Sequence, residues 1–169
     1  MASEIGVQNI QHTNGTTAMT IDGSGRVLMP ARPVFKASIT SSTTVDFSAA
    51  NGIVNFDNQI IDVGANYDPS TYKFTAPVDG IYQFYAILRA DGASATSYSY
   101  IFFGKNGANV SGSLCIIGNG ASTNYQSYQI TDILSLTAGD EIAVYANFNG
   151  DTSVVLYPGQ STFSGFLIG

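Results

Sequence analysis

The chain has 169 residues, enough for one domain with a sizeable core plus an appendage. Its formal charge of −6 argues against nucleic-acid binding, which needs a basic surface to displace counterions. No stretch approaches the ~18 apolar residues of a membrane span, so membrane insertion is not expected. The start, Met1 to Gly15, lacks the charged end and apolar run of a secretory signal. Abundant Gly, Tyr and Phe, few charges and no window of helical period predict an all-β fold with many turns.

Residues 1–32 differ from the rest. Gly6 to Ile10 reads as a short strand, Asn14-Gly15 as a hairpin turn, and Ala18 to Asp22 alternates. Gly23-Ser24-Gly25 turns the chain again, and Arg26 to Met29 follows before Pro30. These pieces are too small to bury a core of their own. The segment is therefore expected to be loose alone and to order against a partner, with Ile10, Met19, Ile21, Val27 and Met29 as its docking residues. Pro30-Ala31-Arg32-Pro33 is a stiff connector. Strands are expected at Val34–Ile39, Thr43–Phe47 and Ile53–Phe56, and a loop at Asp57–Asn66.

The centre of the chain is Tyr67 to Phe84. Asp68-Pro69-Ser70-Thr71 has the Asp and Pro of a type I turn. Tyr72, Phe74 and Ala76 alternate with Lys73 and Thr75, Pro77 ends that strand, and Asp79-Gly80 turns. The next strand is apolar on both faces: Ile81, Tyr85 and Ile87 (with Gln83) on one, and Tyr82, Phe84, Ala86 and Leu88 on the other. A two-layer sandwich covers only one face of each sheet, so the second face asks for a partner, for which another copy of the chain is the obvious candidate.

Beyond it, Asp91 to Thr96 reads as a turn and Tyr98 to Phe103 as a strand with aromatic groups on both faces. Lys105-Asn106-Gly107 is a tight hairpin, and Val110 to Ile117 the return strand. Gly118 to Gly120 opens a loop, and Tyr125 to Leu136 is a long strand. Ile142 to Phe148 alternates, Asn149-Gly150-Asp151 turns, and Phe163 to Leu167 closes the chain.

Several of these stretches together resemble the C1q globular domain. They are Tyr67-Asp68-Pro69-Ser70-Thr71, Lys73-Phe74, Ala76-Pro77-Val78, Gly80-Ile81-Tyr82-Gln83-Phe84, Lys105-Asn106-Gly107, Gly139-Asp140 after Leu136, and Phe163-Ser164-Gly165-Phe166-Leu167. The resemblance spans about Pro33 to Gly169. It implies a two-sheet antiparallel jelly roll, related to tumour necrosis factor, that forms a homotrimer. The family usually has Gly where Tyr72 stands, so that turn is expected to differ. Phe35, Tyr82, Phe84, Tyr128 and Phe166 are expected in the sandwich or trimer core. The leader, from His12 to Asp22 and from Gly25 to Pro30, is similar to segments that precede such β domains in structural proteins of tailed bacteriophages. It implies a location in the virion, assembled in the host cytoplasm. The arm (1–32) would dock the domain (33–169) on capsid or tail proteins. A capsid decoration or head-protrusion protein is the first expectation; the alternatives are a small tail or fibre-tip protein that binds a host-surface glycan or protein, and a free C1q-like recognition module.

Little chemistry is in sight. His12 is the sole histidine and lies in the leader, so a Ser-His-Asp, Cys-His or multi-His site inside the domain is excluded. The single cysteine, Cys115, sits in an apolar strand and reads as a buried, inert thiol. No phosphate-binding glycine pattern occurs. No cofactor is expected. Calcium is the one ion weighed, because some C1q-like trimers bind it, with Asp57, Asp68, Asp140 and Asp151 as oxygen ligands by type. Tyr125 and Tyr157, near loops, are the candidates for surface recognition.

Overall fold

A computed structural model describes residues 6–45, 51–91, 98–118, 125–148 and 154–169. In chain order its strands are β1 (Asn9–Gln11), β2 (Thr17–Ile21), β3 (Val27–Leu28), β4 (Val34–Ser38), β5 (Thr43–Val45), β6 (Gly52–Ile53), β7 (Asn58–Val63) and β8 (Tyr67–Asp68). They continue with β9 (Lys73–Thr75), β10 (Gly80–Asp91), β11 (Tyr98–Lys105), β12 (Ala108–Gly118), β13 (Gln126–Leu136), β14 (Glu141–Asn147), β15 (Val154–Leu156) and β16 (Thr162–Leu167). The described residues contain no helix, and so none long and apolar enough to cross a membrane.

Two antiparallel sheets form the sandwich. The first runs β13–β10–β16–β4–β7, with β15 beside the far end of β10 and β5 beyond it. The second runs β12–β11–β14–β9–β8, with β6 beside β14. Strands β1 to β3 make a separate small sheet. β10 is the spine of the first sheet. It pairs with β13 from Gly80↔Leu136 to Ala90↔Gln126, and on its other edge with β16 from Tyr82↔Leu167 to Ile87↔Thr162.

The core lies between the sheets. Tyr82, Phe84, Ala86 and Leu88 of β10 point into it and are fully buried. Phe163 sits at its centre, with ring centroids 4.8 Å from Phe35, 5.9 Å from Phe56, 6.0 Å from Phe103 and 6.2 Å from Phe84. Gly165, two residues on, has the bare face this packing needs. A Cβ there would stand 2.5 Å from Phe84 and 2.9 Å from Phe35. Buried hydroxyls find partners: Tyr67 donates to the Phe56 carbonyl at 2.7 Å and Tyr82 to that of Val78 at 2.8 Å.

The turns follow their residues. The Asp68 carboxylate accepts from the Ser70 amide at 2.8 Å and the Thr71 hydroxyl at 3.0 Å. Asn106 and Gly107 both take positive φ, 51° and 81°, as a two-residue hairpin turn demands. Tyr72, where glycine is usual in the resembled family, has φ 63°, the left-handed conformation that glycine adopts without steric cost. The loop expected at Asp57–Asn66 is instead largely strand β7, paired with β4. Its run Asn-Gln-Ile-Ile-Asp-Val has no two-residue period because it is a sheet edge, largely open to solvent on both faces. The turns expected at 91–96 and 149–151 and the loop at 118–120 lie wholly or mostly outside the described residues.

Candidate functional site

The outward face of the first sheet carries several exposed large apolar side chains. The odd-numbered residues of β10 point there: Ile81 is 40 % exposed and Tyr85 39 %. The register extends this face into a row across five strands. Ile133 on β13 and Phe166 on β16 flank Gln83, Phe166 stands beside Val34 on β4, and Val34 beside Val63 on β7. Ile133 is 59 % exposed and Phe166 41 %. Ile168 extends the face at the chain end, where its amide donates to the Ile81 carbonyl at 2.7 Å. Of the five core candidates, Phe35, Tyr82, Phe84 and Tyr128 are buried between the sheets. Phe166 lies on this outer face, because it follows inward-pointing Gly165 by one residue.

At the far end of β10 the two tyrosines singled out for recognition meet. Tyr125 and Tyr157 are distant in sequence, yet their ring centroids are 5.7 Å apart. Arg89 lies against both, with its guanidinium carbon 4.5 Å from the Tyr125 centroid and 5.5 Å from that of Tyr157. Both distances fit a cation–π contact. β10 places Arg89 on the outward face, and its amide and carbonyl are held by the Ser161 hydroxyl at 3.0 Å and the Tyr157 amide at 3.1 Å. Tyr125 has φ 65° at the entry to β13, a strained backbone for a non-glycine residue. The Tyr157 hydroxyl donates to Asp91 at 3.3 Å. Loss of solvent around that phenol raises its pKa, and Tyr125 and Asp91 add to the effect, so it stays neutral. Beside the cluster opens a cavity of about 530 Å³, lined by Ile87, Arg89, Tyr125, Gln126, Ser127 and Gln160. Sequence reading missed Arg89. Its signal was a charged residue at an outward position of a strand otherwise apolar on both faces.

The arm residues are split. Ile10, Val27 and Met29 are exposed, while Met19 and Ile21 are half-buried. Asp22 organises the second turn. It accepts from the Ser24 and Arg26 amides at 2.9 and 3.0 Å and pairs with the Arg26 guanidinium at 2.7 Å. These contacts hold its carboxyl below the usual range. The arm joins the domain where the Arg32 guanidinium donates to the Ile168 carbonyl and the Leu167 amide donates to the Pro33 carbonyl at 3.0 Å. A cleft of about 460 Å³ lies at this junction, between Ala18 and Met29 of the arm and Pro77, Val78 and Leu167 of the domain.

The carboxylates considered for calcium are not brought together. Asp57 accepts from the Thr40 amide at 2.7 Å, and Asp68 is engaged within its own turn. Asp140 pairs with Lys105 at 2.7 Å and accepts from the Thr137 amide and the Asn106 side chain, each at 2.7 Å. Lys105 and these donors hold its pKa at about 2. Asp151 lies outside the described residues. Among the described residues no three His, Cys, Asp or Glu side chains form a metal-sized group. His12 sits in the arm's first turn, where its Nδ1 accepts from the Asn14 amide at 3.3 Å. Cys115, opposite Ile101 on β12, is half-buried against the core.

Comparison with known proteins follows the same outline. The profile of the C1q domain matches residues 34–168. The C-type polypeptide of the mouse complement C1q subcomponent is 31 % identical over 148 residues, covering 85 % of this chain and 53 % of that protein. Its rat counterpart is 32 % identical over 126 residues, covering 74 % of this chain and 47 % of that protein. The chain thus spans about half the length of these relatives. Among solved structures, the globular domain of the zebrafish complement 1qA protein superposes with a TM-score of 0.63 at 16 % identity, over 81 % of this chain and 98 % of that one. Murine APRIL superposes at 0.62 and 15 % identity, over 81 % and 99 %.

Proposed function

The chain belongs to the C1q domain family, and from that premise we propose that it is a non-enzymatic virion protein of a tailed phage. Residues 33–169 form a trimeric knob, and residues 1–32 dock it on the particle. A capsid decoration or head protrusion is the first placing. A small tail or fibre-tip part that binds the host surface is the second. The observation that carries the reading is the apolar outer face of the first sheet, centred on Ile81, Tyr85, Ile133 and Phe166. Several large apolar side chains exposed on one face mark an interaction surface. Closed threefold symmetry would bury it without exposing a new sticky edge. The arm, with exposed Ile10, Val27 and Met29, and its similarity to phage leader segments support the docking role.

The native mass of the full chain is the first test. The reading expects about 53 kDa, three times the chain's 17.8 kDa, and a stable species near 17.8 kDa would remove the trimeric knob. Mass spectrometry of purified particles then places it. Hundreds of copies favour decoration, a few trimers favour a tail part, and absence sinks both virion placings. The Arg89–Tyr125–Tyr157 cluster supports a second reading, a recognition module free of any particle, which that last outcome would leave standing.

A further inference from the structure

The six basic side chains of this chain are not equivalent. Arg26, Lys73 and Lys105 are paired with carboxylates. Arg89 is held instead by two neutral rings and by the side-chain carbonyl of Gln160, which accepts from Nη1. Among the described residues no carboxylate forms an ion pair with it. Its Nε is the single buried side-chain nitrogen or oxygen without a hydrogen-bond partner among the described residues. No hydrogen bond from Nη2 is made among those residues either. An unmet buried donor costs free energy that a matching acceptor recovers. The Nε–Nη2 edge presents two parallel N–H groups, the fork that a carboxylate fits bidentately.

The surroundings narrow the ligand further. The cavity beside this cation is walled by the Tyr125 ring, 56 % exposed, and by Ser127 and Gln160. An aromatic face with an amide and a hydroxyl beside it suits a ring that is apolar on one side and hydroxylated at its rim. We propose that Arg89, Tyr125, Ser127 and Gln160 form a binding site for a carboxylate-bearing saccharide. The carboxylate meets the free edge of Arg89 and the sugar ring lies against Tyr125. Tyr125 covers the guanidinium, so its ring swings outward on entry. The inference concerns this site alone and holds whether or not the chain is a virion trimer.

Saturation-transfer NMR on the full-length protein tests it, with sodium glucuronate, glucose and sodium acetate as probes. Glucuronate is expected to bind at least about tenfold more tightly than either of the others, since only it meets both the cation and the ring. Arg89→Gln, with melting temperature and native mass as folding controls, should abolish the preference over glucose. Tyr125→Ala keeps the cation and should abolish the preference over acetate. It also serves as the test if Arg89→Gln fails to fold. Equal binding of glucuronate and acetate by the parent chain would mean an anion site with no place for a sugar. Equal binding of glucuronate and glucose, or an unchanged preference in a folded Arg89→Gln protein, would remove the site altogether.

Discussion

The two faces of β10 carry similar side chains and meet opposite fates. Inward, Tyr82, Phe84 and Leu88 are sealed by the second sheet and by Phe163. Outward, Ile81 and Tyr85 remain open, on the face to which the pairing with β13 and β16 also brings Ile133 and Phe166. Apolar content alone does not define a core. What separates the faces is whether a second layer lies within packing distance; among the described residues the outer face has none.

The largest effect that would sharpen this contrast is expected from Phe84→Ala. Removing a ring that touches Phe35, Phe74, Tyr82, Phe103 and Phe163 should cost about 3–5 kcal/mol in denaturant unfolding. Phe166→Ser on the outer face should instead shift the native mass toward the monomer and leave the domain folded. If the two variants lost stability alike without a change in mass, the distinction between the faces would be void.

Gly165→Ala comes next, because it adds one carbon to the closest approach on the inner face. With no room between Phe84 and Phe35, about 1–3 kcal/mol of destabilisation is expected from overpacking. A neutral result would mean that both rings can retreat and that the core is looser than its distances imply.

Tyr72→Gly, in the turn before β9, should stabilise by up to about 1 kcal/mol by relieving the left-handed backbone. A loss in the same denaturant measurement would reveal that the half-buried ring contributes more than the backbone strain costs.

The smallest effect belongs to Asp140, on the rim where the hairpin of Lys105 meets β14. Its folded pKa of about 2 lies below the ordinary 3.8, so its contribution is complete above pH about 4. It fades as the pH falls from there toward 2. Asp140→Asn should lower the melting temperature near neutrality and flatten its decline over that interval. A parent-like acid limb would show that other carboxylates, such as Asp68 and Asp22, set it.

The carboxylates considered for calcium were chosen by type, and three of them have local partners. Asp57, Asp68 and Asp140 are ordinary ligands by chemistry, but each is drawn into a nearby backbone or side-chain bond. Tyr125 and Tyr157 show the reverse. Nothing local joins them, and the sandwich brings them onto one arginine.

By itself the sequence determined the class of fold, the turns at Asp68–Thr71 and Asn106-Gly107 and the two-residue period of the central strands, including the odd position of Tyr72. These are local properties, set by proline and glycine dihedrals, by Asp and Asn hydrogen bonds within a turn, and by side chains alternating across a strand. Tertiary structure alone decided which face of β10 is the core, that Phe163 is its centre with Phe166 outside, that Asn58–Val63 is an edge strand, and that Arg89 packs against two tyrosines distant in sequence. Each of these depends on register and on which layer packs against which. A shift of one residue would exchange the two faces of a strand and leave its local pattern unchanged.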